Sequence, residues 1–169
     1  MSEPGGGAGH PAYRAVVVVA STRAAGGVYE DRTGPLLVEA LRGWGYVVDA
    51  AIVVPDGEAV AEALTEALAA EPAVLLTTGG TGISPTDVTP ELTRRALDRE
   101  VPGIAEAIRA AGVATGVPTA MLSRGVAGVA GRTLVVNLPG STGGVRDALQ
   151  VLAEVVPHAV DQIRGGDHR

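Results

Sequence analysis

With 169 residues, no Cys, no Phe and a net charge of −6, the chain is one domain of ordinary size whose core must be built from Val, Leu, Ile and Ala. The missing Cys excludes thiol catalysis, disulfides and thiolate metal sites. All thirteen basic residues are Arg, which excludes a Schiff-base lysine and the lysine of a P-loop, and the negative balance argues against a nucleic-acid partner.

Residues 1–12 are Gly-rich with little to bury and read as a mobile tail; the domain is expected over 13–164, with a short tail at 165–169. Arg14–Ser21 carries Val16-Val17-Val18-Val19, the continuous β-branched run of a parallel strand covered on both faces. Pro35–Trp44 places Leu36, Leu37, Ala40 and Leu41 at helical spacing, ended by Gly43 and Gly45. Tyr46–Val54 reads as the next strand, Glu58–Ala70 as a helix and Ala73–Thr78 as a third strand. Pro90–Asp98 and Ile104–Ala111 read as helices, the first with Pro90 in its opening turn. Ala120–Val129 and Thr133–Leu138 read as two strands joined near Gly131-Arg132, and Thr142–Ile163 as a helix broken at Pro157.

This alternation predicts an α/β class: one domain, a doubly wound and mostly parallel sheet, helices on both faces, three layers. The longest apolar run, Ala15–Ala20, is far too short to span a bilayer, and Met1–Arg14 lacks the order of a signal peptide. A cytoplasmic protein with no membrane contact is expected. Ligands of open α/β sheets bind beyond the carboxyl ends of the strands, so the loops at Pro55–Gly57, Gly79–Pro90 and Pro139–Gly144 should converge.

The chemistry is concentrated in those loops. In Thr78-Gly79-Gly80-Thr81-Gly82, glycines let the backbone approach a ligand and turn N–H groups toward an anion. The same run also suits a tight strand-to-helix turn with no ligand. Asp56 and Asp87 follow two strands and should reach one sheet edge, where two carboxylates beside a phosphate loop suit Mg²⁺. Ordinary turn chemistry fits them too: Pro55-Asp56-Gly57 is a common turn, and Asp87 can cap the helix near Pro90. Pro139-Gly140-Ser141 leads into a helix N-terminus that favours an anion, or simply caps it. Ser21 and Arg23, and again Ser123 and Arg124, pair a hydroxyl with a guanidinium able to grip phosphate. A surface position or an intersubunit ion pair fits Arg124 as well. His10, His158 and His168 are scattered and suggest no metal site.

Taken together these motifs resemble the Mog/MoaB family of molybdenum-cofactor biosynthesis, which includes the G domain of gephyrin-type proteins. The resemblance runs from Ala20-Ser21-Thr22-Arg23 through Gly26–Asp31 and Val54-Pro55-Asp56. It continues over Thr78–Gly82 with Asp87-Val88-Thr89-Pro90-Glu91, then Leu122-Ser123-Arg124 and Asn137–Ser141. It implies a molybdopterin adenylyltransferase that converts molybdopterin and ATP, with Mg²⁺, into adenylylated molybdopterin and pyrophosphate. It places the two family aspartates on Asp56 and Asp87, and implies a homotrimer and hand-over to a molybdate-inserting enzyme. Nucleotide phosphates are expected on the Gly79–Gly82 amides, and the pterin or its phosphate on Ser21–Arg23 and Pro139–Ser141. A non-catalytic molybdopterin-binding protein of the MoaB branch is the alternative; Asp56 favours the enzyme.

Overall fold

Four successive valines form the heart of β1 (Arg14–Ala20), where Val17, Val18 and Val19 are all buried. A strand flanked by parallel neighbours and covered on both faces has no solvent side, so the sequence shows no alternation there. The computed structural model describes Ala12–Gly166; most of the two expected tails, 1–11 and 167–169, lies outside the described residues, as do His10 and His168.

After β1 come a single helical turn, α1 (Thr22–Ala25), then α2 (Thr33–Gly43), β2 (Val47–Val48), β3 (Ile52–Val54) and α3 (Glu58–Ala69). These are followed by β4 (Val74–Thr78), α4 (Thr89–Ala96), β5 (Arg99–Glu100) and α5 (Pro102–Ala114). A 3₁₀ segment (Pro118–Leu122), β6 (Ala127–Ala130), β7 (Thr133–Leu138) and α6 (Thr142–Ile163) complete the described chain. The sheet order is β2-β1-β4-β7-β6-β5, with β3 also on β1. All pairings are parallel except those of β6 with β7 and with β5.

In register, Val17, Leu76 and Val136 lie side by side, as do Val16, Leu75 and Val135. The first row packs with Leu37, Ile108 and Leu152 of α2, α5 and α6; the second packs with Val60, Leu64 and Leu92 of α3 and α4. That one-residue change of face is the three-layer arrangement expected of the sequence. No helix among the described residues is long and apolar enough to cross a membrane.

Three expected elements differ. The strand expected over Tyr46–Val54 is two, because Val48 pairs with Ala15 and Ile52 with Val18, leaving one residue more on the outer chain than on β1. Asp49–Ala51 absorb it as a bulge. The strand expected over Ala120–Val129 begins only at Ala127; Pro118 opens a 3₁₀ segment instead, and Met121 and Leu122 are exposed. The helix expected to break at Pro157 runs unbroken. Pro157 and Ala153, whose carbonyl loses its partner, both face solvent, so water satisfies that oxygen while Val145, Ala148, Leu152, Val156 and Val160 keep a continuous buried stripe.

Candidate functional site

Four parallel strands deliver their carboxyl ends to one edge: β1 into Ser21, β3 into Asp56, β4 into Gly79 and β7 into Pro139. Because β6 runs the other way, the segment before it, Ser123–Val126, reaches the same edge. The β4 and β7 loops touch there. Thr78 Oγ1 donates to the Pro139 carbonyl at 2.7 Å, and a Cβ on Gly140 would come within 3.3 Å of the Gly79 Cα.

Gly79 and Gly80 have φ of +90° and +66°, the left-handed region where side chains are strained. Space forbids a side chain as well: a Cβ on Gly79 would collide with the Ala20 carbonyl oxygen, and one on Gly80 would collide with Thr89 Oγ1 and come within 3.1 Å of Asp56 Oδ1. The Gly79 amide is spent on the Leu138 carbonyl at 3.3 Å. Among the described residues, the amides of Gly80, Thr81 and Gly82 donate no hydrogen bond, so three N–H groups remain for an anion. Behind the loop, buried Asn137 donates to Thr77 Oγ1 and Thr93 Oγ1 and accepts from the Val126 amide. Thr93 then donates to the Thr89 carbonyl, and the Thr89 amide to the Gly80 carbonyl.

The touching loops divide two clefts. The first, of about 780 Å³, is lined by Ser21, Arg23, Asp56, Thr78, Gly79, Gly80, Asp87 and Gly140. The second, of about 520 Å³, is lined by Thr81, Gly82, Ser123, Pro139 and Ser141. Every residue singled out in the sequence as a ligand or catalytic group therefore borders one cleft or the other, except Arg124, which lines neither. Ser21 and Arg23, expected to share a ligand with Pro139 and Ser141, stand on the opposite cleft from them.

Asp56 lies in a turn, as Pro-Asp-Gly suggests, but its carboxylate serves a neighbouring loop. Oδ2 accepts from the Thr22 amide (3.2 Å) and Thr22 Oγ1 (3.0 Å), and Thr22 Oγ1 accepts from the Asp56 amide. Asp87 does not cap the helix near Pro90. The N-cap of α4 is Val88, without a side-chain cap, and Asp87 Oδ2 accepts from the Ser84 amide at 3.0 Å. Each carboxylate keeps Oδ1 free of hydrogen bonds among the described residues. No group of three or more His, Asp or Glu side chains able to hold a metal occurs among those residues. A cation at the first cleft would draw on two carboxylate oxygens and on ligand oxygens, the donor set that suits Mg²⁺.

Arg23 has its guanidinium 5.7 Å from the centre of the Tyr29 ring and makes no ion pair among the described residues; Tyr29 OH shares a 3.0 Å hydrogen bond with Ser21 Oγ. Ser141 Oγ accepts from the Gly144 amide, so the capping role of that hydroxyl is realised. Arg124 is neither a free surface side chain nor, within this chain, an unpaired cation. Its Nε donates to the Gly82 carbonyl (2.8 Å), Nη2 to the Asp87 carbonyl (2.6 Å), Nη1 pairs with Glu91, and its amide donates to the Thr81 carbonyl (2.7 Å).

The Arg124 hydrogen bond, ahead of every other influence, holds the Glu91 carboxyl below the usual carboxylate range. A lowered folded-state pKa stabilises above the unfolded value, and that contribution is lost as pH falls through the folded one. The stability lost in Glu91→Gln should thus be measurable at about pH 7 and shrink as pH falls below the usual carboxylate range, as urea melts across that acid range would read.

Sequence reasoning missed Tyr29 and Thr86 in the first cleft and Arg109 and Arg146 in the second. Tyr29 stands in a motif already quoted, Gly26–Asp31. The two arginines sit on α5 and α6, where nothing local distinguishes a cleft face from solvent.

A family profile described as probable molybdopterin binding domain matches residues 15–158. The chain is similar in structure to the molybdopterin biosynthesis Mog protein from Mycobacterium ulcerans, at 57% identity and a TM-score of 0.86 over 90% of this chain and 99% of that one. It is similar to the molybdopterin biosynthesis enzyme MoaB from Thermus thermophilus, at 41% identity and a TM-score of 0.82 over 93% and 99%. In sequence it is 34% identical over 155 residues to a molybdopterin adenylyltransferase of Helicobacter pylori, covering 88% of this chain and 86% of that protein. The chain spans about half the length of the curated bifunctional relatives that it matches.

Proposed function

The chain belongs to the Mog/MoaB family of molybdopterin-binding proteins of molybdenum-cofactor biosynthesis, and from that premise we propose that it transfers the adenylyl group of ATP to molybdopterin. One observation carries the reading. Two carboxylates from different loops line one cleft with the unspent Gly80 amide, and each keeps an oxygen unbonded among the described residues.

In the proposed reaction an oxygen of the terminal phosphate of molybdopterin forms a bond to the α-phosphorus of ATP. The bond from that phosphorus to the bridging oxygen breaks, and pyrophosphate leaves with the electron pair. A phosphate monoester is largely ionised at neutral pH, so no side chain has to act as its base. The chain's work is positioning and charge stabilisation. The nucleotide lies in the first cleft, its phosphates received by the Gly80 amide and by Arg23, whose guanidinium no carboxylate claims among the described residues. The pterin lies in the second cleft, between Pro139 and Ser141 on one side and Ser123 on the other. The reacting phosphates meet over the ridge where Gly79 and Gly140 touch. Held by Asp56 and Asp87, Mg²⁺ would neutralise phosphate charge during the transfer.

Pyrophosphate release from molybdopterin, ATP and Mg²⁺ tests the proposal: release should stop with EDTA and return with excess Mg²⁺. Molybdopterin binding without release would instead favour the non-catalytic reading, which the likeness to MoaB keeps in view. Asp56→Asn retains an acceptor for Thr22 and loses the charge. The half-saturating Mg²⁺ concentration should rise about tenfold, or about 1.4 kcal/mol; an unchanged Mg²⁺ titration would return Asp56 to a turn-forming role.

A further inference from the structure

The segment Gly82–Asp87 projects from the sheet edge with little to hold it. Ile83 is 69% exposed, and Ser84 and Asp87 close a small turn on themselves, the Asp87 amide to the Ser84 carbonyl and the Ser84 amide to Asp87 Oδ2. Among the described residues, its only hydrogen bonds to the rest of the chain are the two that Arg124 donates to the Gly82 and Asp87 carbonyls. These grip the segment at both ends. The Arg124 amide adds a third tie one residue upstream, at Thr81.

Arg124 is itself held. On one side Arg109 of α5 donates to the carbonyls of Ser123 and Gly125, its two chain neighbours. On the other, the amide of Val126 is tied to buried Asn137. A planar guanidinium with fixed donor directions can serve two carbonyls and a carboxylate at once, whereas an ammonium cannot reproduce that fork.

We infer that Arg124 is the positioning residue of Asp87: by pinning the main chain at Gly82 and Asp87, it aims the Asp87 carboxylate into the first cleft. The inference deepens the proposed function and rests on it for the role of Asp87. The mechanical claim stands apart from it, because loop anchoring can be read without turnover.

Hydrogen exchange followed by mass spectrometry on Arg124→Lys, with the wild type beside it, gives the test. The peptide covering Thr81–Glu91 should exchange about tenfold faster, while those covering β4 and β7 are unchanged. In pyrophosphate release kcat should fall about tenfold, with KM for ATP within about twofold. Glu91→Gln keeps both bonds to carbonyls and should change exchange by less than about threefold. Unchanged exchange in Arg124→Lys, faster exchange throughout the sheet, or an equal effect of Glu91→Gln would each overturn the assignment. Should the wild type release no pyrophosphate, the adenylyl-transfer reading fails and the exchange result still decides whether Arg124 anchors the loop.

Discussion

Replacing Asp87 with Asn is expected to slow pyrophosphate release by roughly a hundredfold or more while leaving the fold intact, on the order of 3 kcal/mol of lost transition-state stabilisation. The substitution is nearly isosteric. The amide oxygen of Asn can still accept from the Ser84 amide, and Arg124 grips the carbonyl of residue 87 and not its side chain. What disappears is one negative charge in the first cleft. A fall in kcat with an unchanged melting temperature would therefore report on charge and not on loop structure. Near-wild-type turnover would sink the metal-positioning role of Asp87.

Gly79→Ala should unfold the chain more readily, with a loss on the order of 3 kcal/mol from a left-handed backbone forced on an L-residue and from overpacking. In a domain of this size that is a drop of about 6–12 °C in melting temperature. The new methyl has nowhere to go: it meets the backbone of Ala20 at the end of β1, and β1 and β4 are bonded in register up to Val19 and Thr78. Relief requires parting two central strands. Gly103→Ala is the control, because its Cβ would meet nothing within 4 Å; there Ala, the better helix former, should be neutral or mildly stabilising. Equal melting temperatures for the two variants would show that the Gly79 turn relaxes freely.

Positions governed by their own neighbourhood were legible in the sequence. The valines of β1 and the spacing of Leu37 and Leu41 carry their burial in local pattern, and Asp56 and Asp87 are recognisable because each follows a strand that must end at the ligand edge. What escaped depends on distant partners. Tyr46–Val54 looks continuous until two registers on β1 demand an extra residue. Pro157 looks like a break until its exposure shows that the orphaned carbonyl has water. Arg124 reads as a surface cation because its partners are Gly82, Asp87 and Glu91, all far back along the chain, and two of those contacts are to carbonyls that any residue would supply. The division of the edge into two clefts rests on the contact of Gly140 with Gly79, a tertiary event with no local signature.

The strand order also sets a timetable for synthesis. β4 sits between β1 and β7, and β7 is the last strand made among the described residues. A nascent chain emerging amino end first can pair β1 with β4 early, yet one flank of β4 stays open until the β6–β7 hairpin has left the ribosome. That hairpin brings Pro139 and Gly140 behind it and Arg124 ahead of it. Until it docks, the glycine loop lacks both its opposing wall and its clasp, so an incomplete chain carries Asp56 and Asp87 without a site around them.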